Sequence, residues 1–240
     1  MQRSPLDLHA LAIMGFLLTV LGLLLLMCLM PVFFVAAMQQ ALERLHLTPM
    51  TALLVVLLIV VGSFVNIPVY RVERPSVVVE VRPPFPWPPF LAPVVRTPDE
   101  VVIAINFGGG VVPTALAIFE LVHLAFRGPG PFLLAMAATG ITALVCFLVA
   151  RPVPGLGVVV PLLVPPVVAL LATWALFGFS APPFYRAPAA FVAGVLGTLA
   201  GADLLHLPRV LTMPVNLVVI GGAGTFDGIV LSGILAALLA

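Results

Sequence analysis

Seven apolar stretches, near 10–38, 50–70, 100–126, 131–150, 157–179, 187–207 and 210–240, alternate with short segments that hold nearly all the charge. A bilayer core about 30 Å thick is crossed by about 20 apolar residues in a helix, so each stretch reads as a membrane span. Arg3 precedes the first in the manner of a signal peptide, yet the run outlasts a signal core of roughly 7–15 residues and reads as a retained helix. The pattern predicts an all-α, polytopic transmembrane bundle of about seven spans, a single integral-membrane domain over 1–240.

Polar and small residues interrupt three of these spans. The second ends in Gly62-Ser63-Phe64-Val65-Asn66-Ile67-Pro68, the third holds Asn106-Phe107-Gly108-Gly109-Gly110-Val111-Val112-Pro113, and the last holds Gly221-Gly222-Ala223-Gly224-Thr225-Phe226-Asp227-Gly228. Each glycine costs a helix about 1 kcal/mol relative to alanine, and consecutive glycines face all round the axis, so no single packing face uses them. Unwound backbone at membrane depth survives only beside protein or water. Discontinuous, inward-facing helices are therefore expected. Gly194, Gly197 and Gly201, spaced by three and four, read instead as a close-packing stripe. The order of elements hints at a repeat: a helix ending near Asn66 and a helix ending near Asp203 each precede a glycine-rich span, a transporter-like arrangement.

Composition confirms the setting and narrows the partners. Of 240 residues 62% are hydrophobic and 8% charged, against about 25% charged in a soluble domain. Net charge is +1 and there is no lysine, so no basic face exists to hold nucleic acid. Cys28 and Cys146 lie in apolar runs with no partner at ligand spacing; neither metal nor cofactor is implied. The lipid bilayer is the evident partner, and oligomeric state is unreadable. With seven spans, Arg3, Arg71, Arg74, Arg82, Arg96, Arg151 and Arg209 fall on one side and Arg44, Arg127 and Arg186 on the other, favouring a cytoplasmic N-terminus. The segment 71–99 starts with a β-like run at Ser76–Val81 and turns proline-rich over 83–90, where Phe85, Trp87 and Phe90 suit an interfacial cover; a plain linker is the alternative.

Most acids fall in flanks and loops, but three do not. Glu120 and His123 lie one turn apart near the end of the third span and read as a helix-end pair reaching the interface. Asp203 and Asp227 have no cation deep enough to neutralise them. A charged carboxylate at mid-bilayer costs about 2.5–3.5 kcal/mol on insertion scales, which makes each a functional-site candidate. Two carboxylates converging on a wet cavity suit acid–base hydrolysis, whereas a lone aspartate at a helix break suits proton or cation transport. Asp227 also stands where it caps the helix that follows. If the last two spans were straight, the two acids would sit roughly 20 Å apart in depth; only a bend near Pro208 and Pro214, or unwinding at 221–224, brings them together.

Gly201-Ala202-Asp203 and the string from Gly221 to Ile229, with Asn66-Ile67-Pro68, Asn106-Phe107-Gly108-Gly109 and Arg151-Pro152-Val153-Pro154-Gly155-Leu156-Gly157, resemble the prokaryotic membrane family called domain of unknown function 1614. That resemblance implies a topology and the inner membrane of a prokaryote, but no activity. The run Asp227-Gly228-Ile229-Val230-Leu231-Ser232-Gly233-Ile234 is similar to the stretch after the second catalytic aspartate of signal-peptide-peptidase-type proteases. Asp203 followed by Leu207-Pro208-Arg209-Val210-Leu211-Thr212-Met213-Pro214 is similar to the first-aspartate region of prepilin peptidases. Those enzymes place the second aspartate directly after Gly-x-Gly, where Thr225 and Phe226 intervene here; the first-aspartate spacing to proline is shorter, and no Pro-Ala-Leu follows. The expected site joins Asp203 and Asp227, as catalytic acids, to Asn66, Asn106, Gly109, Gly222, Gly224 and Thr225. The expected function is diaspartyl cleavage of a membrane-embedded peptide. The alternatives are a transporter holding an ion or proton at Asp227 and Asn106, and a scaffold without chemistry.

Overall fold

The computed structural model describes residues 5–73, 78–80, 94–96, 100–153, 157–178, 181–213, 215–222 and 227–240. Within them the chain is a helical bundle. In order run α1 (Pro5–Glu43), α2 (Pro49–Gly62), β1 (Asn66–Glu73), β2 (Val78–Glu80), β3 (Val94–Arg96) and β4 (Glu100–Asn106). A π-helical turn (Phe107–Val111) leads into α3 (Val112–Phe126), then α4 (Pro129–Val149), β5 (Arg151–Val153), β6 (Gly157–Val159) and α5 (Val164–Phe177). A second π-helical segment (Leu199–Leu204) ends α6 (Pro183–Thr198), and the short α7 (Leu207–Val210), β7 (Leu217–Ile220) and α8 (Gly228–Leu239) complete the chain.

Four segments are long and apolar enough to cross a bilayer: Met14–Glu43, Phe107–Phe126, Pro129–Val149 and Phe184–Val210. The helices α2, α5 and α8 are apolar but shorter. Each of the seven apolar stretches contributes a helix, so the expected all-α membrane bundle stands. Helix α6 is its hub, packing on α3, α4, α5 and α8. Bilayer lipid leaves little hydrophobic drive between helices, so close approach of small residues does the work. A Cβ at Gly194 would lie 2.7 Å from the Ser232 carbonyl oxygen and one at Gly197 2.6 Å from the Thr142 Cβ, while Gly201 abuts the Ala143 carbonyl. The glycine stripe is indeed a packing face. Buried Thr139, Thr142 and Thr173 each donate to the carbonyl four residues back, which satisfies their hydroxyls without partners on other helices.

The helical reading of three stretches needs correction. The ends of the second, third and last stretches are strands, forming one sheet in the order β1-β4-β7. Strand β4 pairs antiparallel with β1, setting Asn66 opposite Asn106 and Glu73 opposite Glu100, and pairs parallel with β7, setting Val102 opposite Leu217. The run Val101-Val102-Ile103-Ala104-Ile105 is dominated by β-branched residues, which fit a pleated surface better than a helix turn. The register slips between Pro68 and Tyr70, as expected where a proline brings no N–H to the ladder. In the segment 71–99, Val78–Glu80 does form a strand and pairs with Val94–Arg96; the proline-rich run 83–90 lies outside the described residues.

Candidate functional site: an aspartate-lined cavity

Two strands of the sheet lead directly into glycines and then a helix. After β4 the chain passes through Gly108-Gly109-Gly110 into α3, and after β7 it passes Gly221 and Gly222 on the way to α8. The two crossings touch. Gly221 has φ of 69°, and a Cβ there would lie 2.6 Å from both the Gly109 carbonyl carbon and the Gly110 nitrogen. Only glycine meets both demands, a left-handed backbone and a backbone neighbour at contact distance.

Each helix start is capped by a side chain one position before it. Asn106 Oδ1 accepts from the Gly109 N–H at 2.7 Å, and its Nδ2 donates to Asn66 Oδ1 and to the Ser63 carbonyl, both at 2.8 Å. Asn106 is 1% exposed. Both ends of its amide are thus occupied inside protein, and its cross-strand partner Asn66 is held by the register of the sheet. Asp227 caps α8, one carboxylate oxygen accepting from the Ile229 N–H at 2.9 Å.

Asp203 reaches the same region from the other side. It sits in the π-helical end of α6, where the Leu205 N–H reaches back five residues to the Ala200 carbonyl. Such an insertion turns a side chain out of the regular helical register and is common at functional positions. His206, buried beside it, lies with Nδ1 3.1 Å from the Gly201 carbonyl, which therefore accepts, and its ring rests against Phe147. The chain then reverses through α7 and returns as β7. Asp203 and Asp227 consequently line one cavity, which two straight spans would not have allowed.

The outcome is a cavity of about 360 Å³ lined by Asp203, Asp227, Gly222 and the whole of β7. Asp203 faces the Gly221 backbone amide and the Asp227 carboxylate. A second cavity of about 250 Å³ opens against the same two aspartates, walled by Val158, Thr198 and Ala202. Strand β7 is the outer strand of its sheet among the described residues, and all four of its residues line the cavity.

Of the expected site residues, Asp203, Asp227 and Gly222 meet at this cavity. Asn66, Asn106 and Gly109 do not line it; they form the hydrogen-bonded cap of the other glycine crossing. Gly224 and Thr225 lie outside the described residues. Two features escaped the sequence reading. The edge strand is one, and the β-branched run Val218-Val219-Ile220 was its only trace. The other is Glu120, expected at the interface with His123. It is fully buried and lies 3.1 Å from His46 Nδ1, while His123 turns to the Phe119 carbonyl.

No curated protein and no solved structure matches this chain. A family model does, over residues 60–239. That span takes in both glycine crossings, both aspartates and the sheet, and the chain accordingly belongs to the family described as protein of unknown function, DUF1614.

Proposed function

We propose that this protein is a diaspartyl intramembrane peptidase, with Asp203 and Asp227 as its catalytic pair. One observation carries the reading: both carboxyls line one cavity together with every residue of β7, a strand that pairs on one side only among the described residues. Peptide hydrolysis inside a membrane needs a wet pocket, an acid and a base, and a way to hold the substrate extended, because a helical peptide bond is shielded by its own turn. An edge strand offers an unpaired ladder to an extended segment. A peptide laid along β7 would run past the two aspartates.

The chemistry requires one carboxyl protonated and the other ionised. The ionised carboxylate takes a proton from a water molecule as its oxygen attacks the peptide carbonyl. The protonated carboxyl hydrogen-bonds the carbonyl oxygen and supports the tetrahedral intermediate. When the C–N bond breaks, the proton taken from water passes to the departing amine, and the two carboxyls return to sharing one proton.

A second reading, proton or cation binding at Asp227, draws support from its place at the N-terminus of α8, since helix termini hold substrate and ions at transporter sites. Asn106 gives it no help, since its amide is fully engaged. A single experiment separates the readings. The purified protein in lipid vesicles, mixed with a fluorogenic transmembrane peptide of helix-breaking sequence, is expected to cleave it, and Asp203→Asn and Asp227→Asn are each expected to stop cleavage without unfolding the protein. Cleavage that survives either substitution ends the peptidase reading. We further place the chain in the inner membrane of a prokaryote with a cytoplasmic N-terminus, on the seven-to-three division of arginines; a reporter fused to the N-terminus tests that orientation.

A further inference from the structure

Away from the aspartates, a second polar group is enclosed among apolar helices. Glu120 in α3 has no exposed surface. Its Oε2 lies 3.1 Å from His46 Nδ1, and its Oε1, equally enclosed, has no hydrogen-bond partner. His46 belongs to the turn between α1 and α2, and 22% of its side chain is exposed. Its φ is 36°, a left-handed conformation uncommon for a non-glycine residue. The His123 ring runs nearly parallel to that of His46, with centroids 5.7 Å apart and planes 12° from each other. Since the Phe119 carbonyl beside His123 Nδ1 only accepts, that nitrogen is the donor.

We propose that His46, Glu120 and His123 form a proton-binding site, separate from the aspartate cavity and loaded from water through the exposed edge of His46. Burial of Glu120 calls for an electrically neutral pair, and one proton held between Nδ1 and Oε2 supplies it, either as imidazolium and carboxylate or as imidazole and carboxylic acid. The charges that act on Glu120 are those of His46 and His123. Of the elements packed against α3, the preceding π-helical turn, α2 and α8 carry no ionisable side chain, α4 carries Cys146, and α6 carries Tyr185 and Arg186. Glu43 and Arg44 precede His46 in the chain, and Glu43 accepts from Gln39. Among the described residues no three His, Cys, Asp or Glu side chains converge as a metal-binding set. The turn that carries His46 follows the buried end of α1 at Met38 and Leu42, and Leu45 beside it is buried too.

The test uses full-length protein in lipid nanodiscs, in the Asp203→Asn/Asp227→Asn background so that Glu120 is the intramembrane carboxyl that remains. Histidine nitrogen resonances and the high-frequency infrared band of a carboxylic acid shielded from water, distinct from that of the exposed acids, are followed through one pH titration. The expected result is a single shared curve for His46 and the carboxyl band, and in Glu120→Gln loss of the band with displacement of the His46 curve. A carboxyl band that does not change over the titration, or a His46 curve identical with and without Glu120, overturns the proposal. The first of these readouts needs no substitution at Glu120, so a misfolded variant does not rescue the idea.

Discussion

The two glycine crossings are built alike and end differently. In both, a strand of the central sheet runs into glycines and then into a helix capped by the residue before its first turn, Asn106 in one and Asp227 in the other. Around Asn106 every polar atom is used by neighbouring protein, and the residue is sealed. Around Asp227 the cap bond occupies one oxygen, and the carboxyl also faces a cavity with Asp203 across it. The same local architecture is thus a structural joint in one place and an opening in the other. What separates them is the neighbour: β1 covers β4 on its outer side, whereas nothing described pairs with the outer side of β7.

The strongest way to break this comparison is to remove the acids. Asp203→Asn and Asp227→Asn are each expected to lower reporter cleavage by about 10²–10⁴-fold or more, the usual contribution of a general acid or base. Thermal unfolding in detergent should change by only a few tenths of a kcal/mol for Asp227→Asn, because asparagine caps a helix as well as aspartate does. At the sealed crossing the order reverses. Asn106→Ala leaves the buried Gly109 N–H without its acceptor, which costs about 1–3 kcal/mol; the unfolding midpoint should fall while cleavage per folded molecule persists. Gly221→Ala probes the contact between the crossings. It is expected to cost about 1–2 kcal/mol for the left-handed backbone, with a further loss from overlap with Gly109, and proteolysis of the 221–227 region should accelerate. The smallest effect belongs to the exposed Arg71–Glu100 pair at the far end of β1 and β4. Arg71→Ala should change stability by less than about 1 kcal/mol, seen as a nearly unchanged melting curve.

The helices were readable because length of apolar run is a direct measure of a span, and Asp203 and Asp227 stood out as acids with no nearby cation. The strands were hidden for a physical reason. In water a half-buried strand alternates apolar and polar residues, but β4 has apolar residues on both faces from Val101 to Ile105, so its period of two vanishes into the background of a membrane sequence. The meeting of the aspartates was equally invisible, because it depends on β7 finding β4 across more than a hundred residues. Asn106 misled for the converse reason: a polar residue beside a glycine break looks the same in sequence whether it lines a pocket or caps a turn. Glu120 seemed free to reach the headgroups because its partner, His46, is 74 residues away.

The meeting of the two carboxyls is open to one direct measurement. In a background with Cys28→Ser and Cys146→Ser, the double variant Asp203→Cys/Asp227→Cys in lipid vesicles is treated with a short, water-soluble bifunctional thiol reagent. Intramolecular cross-linking within each chain is the expected result, with none when either cysteine is absent. Two thiols that stay unreactive, or that react singly without ever being bridged, would show that the aspartates share no hydrated space.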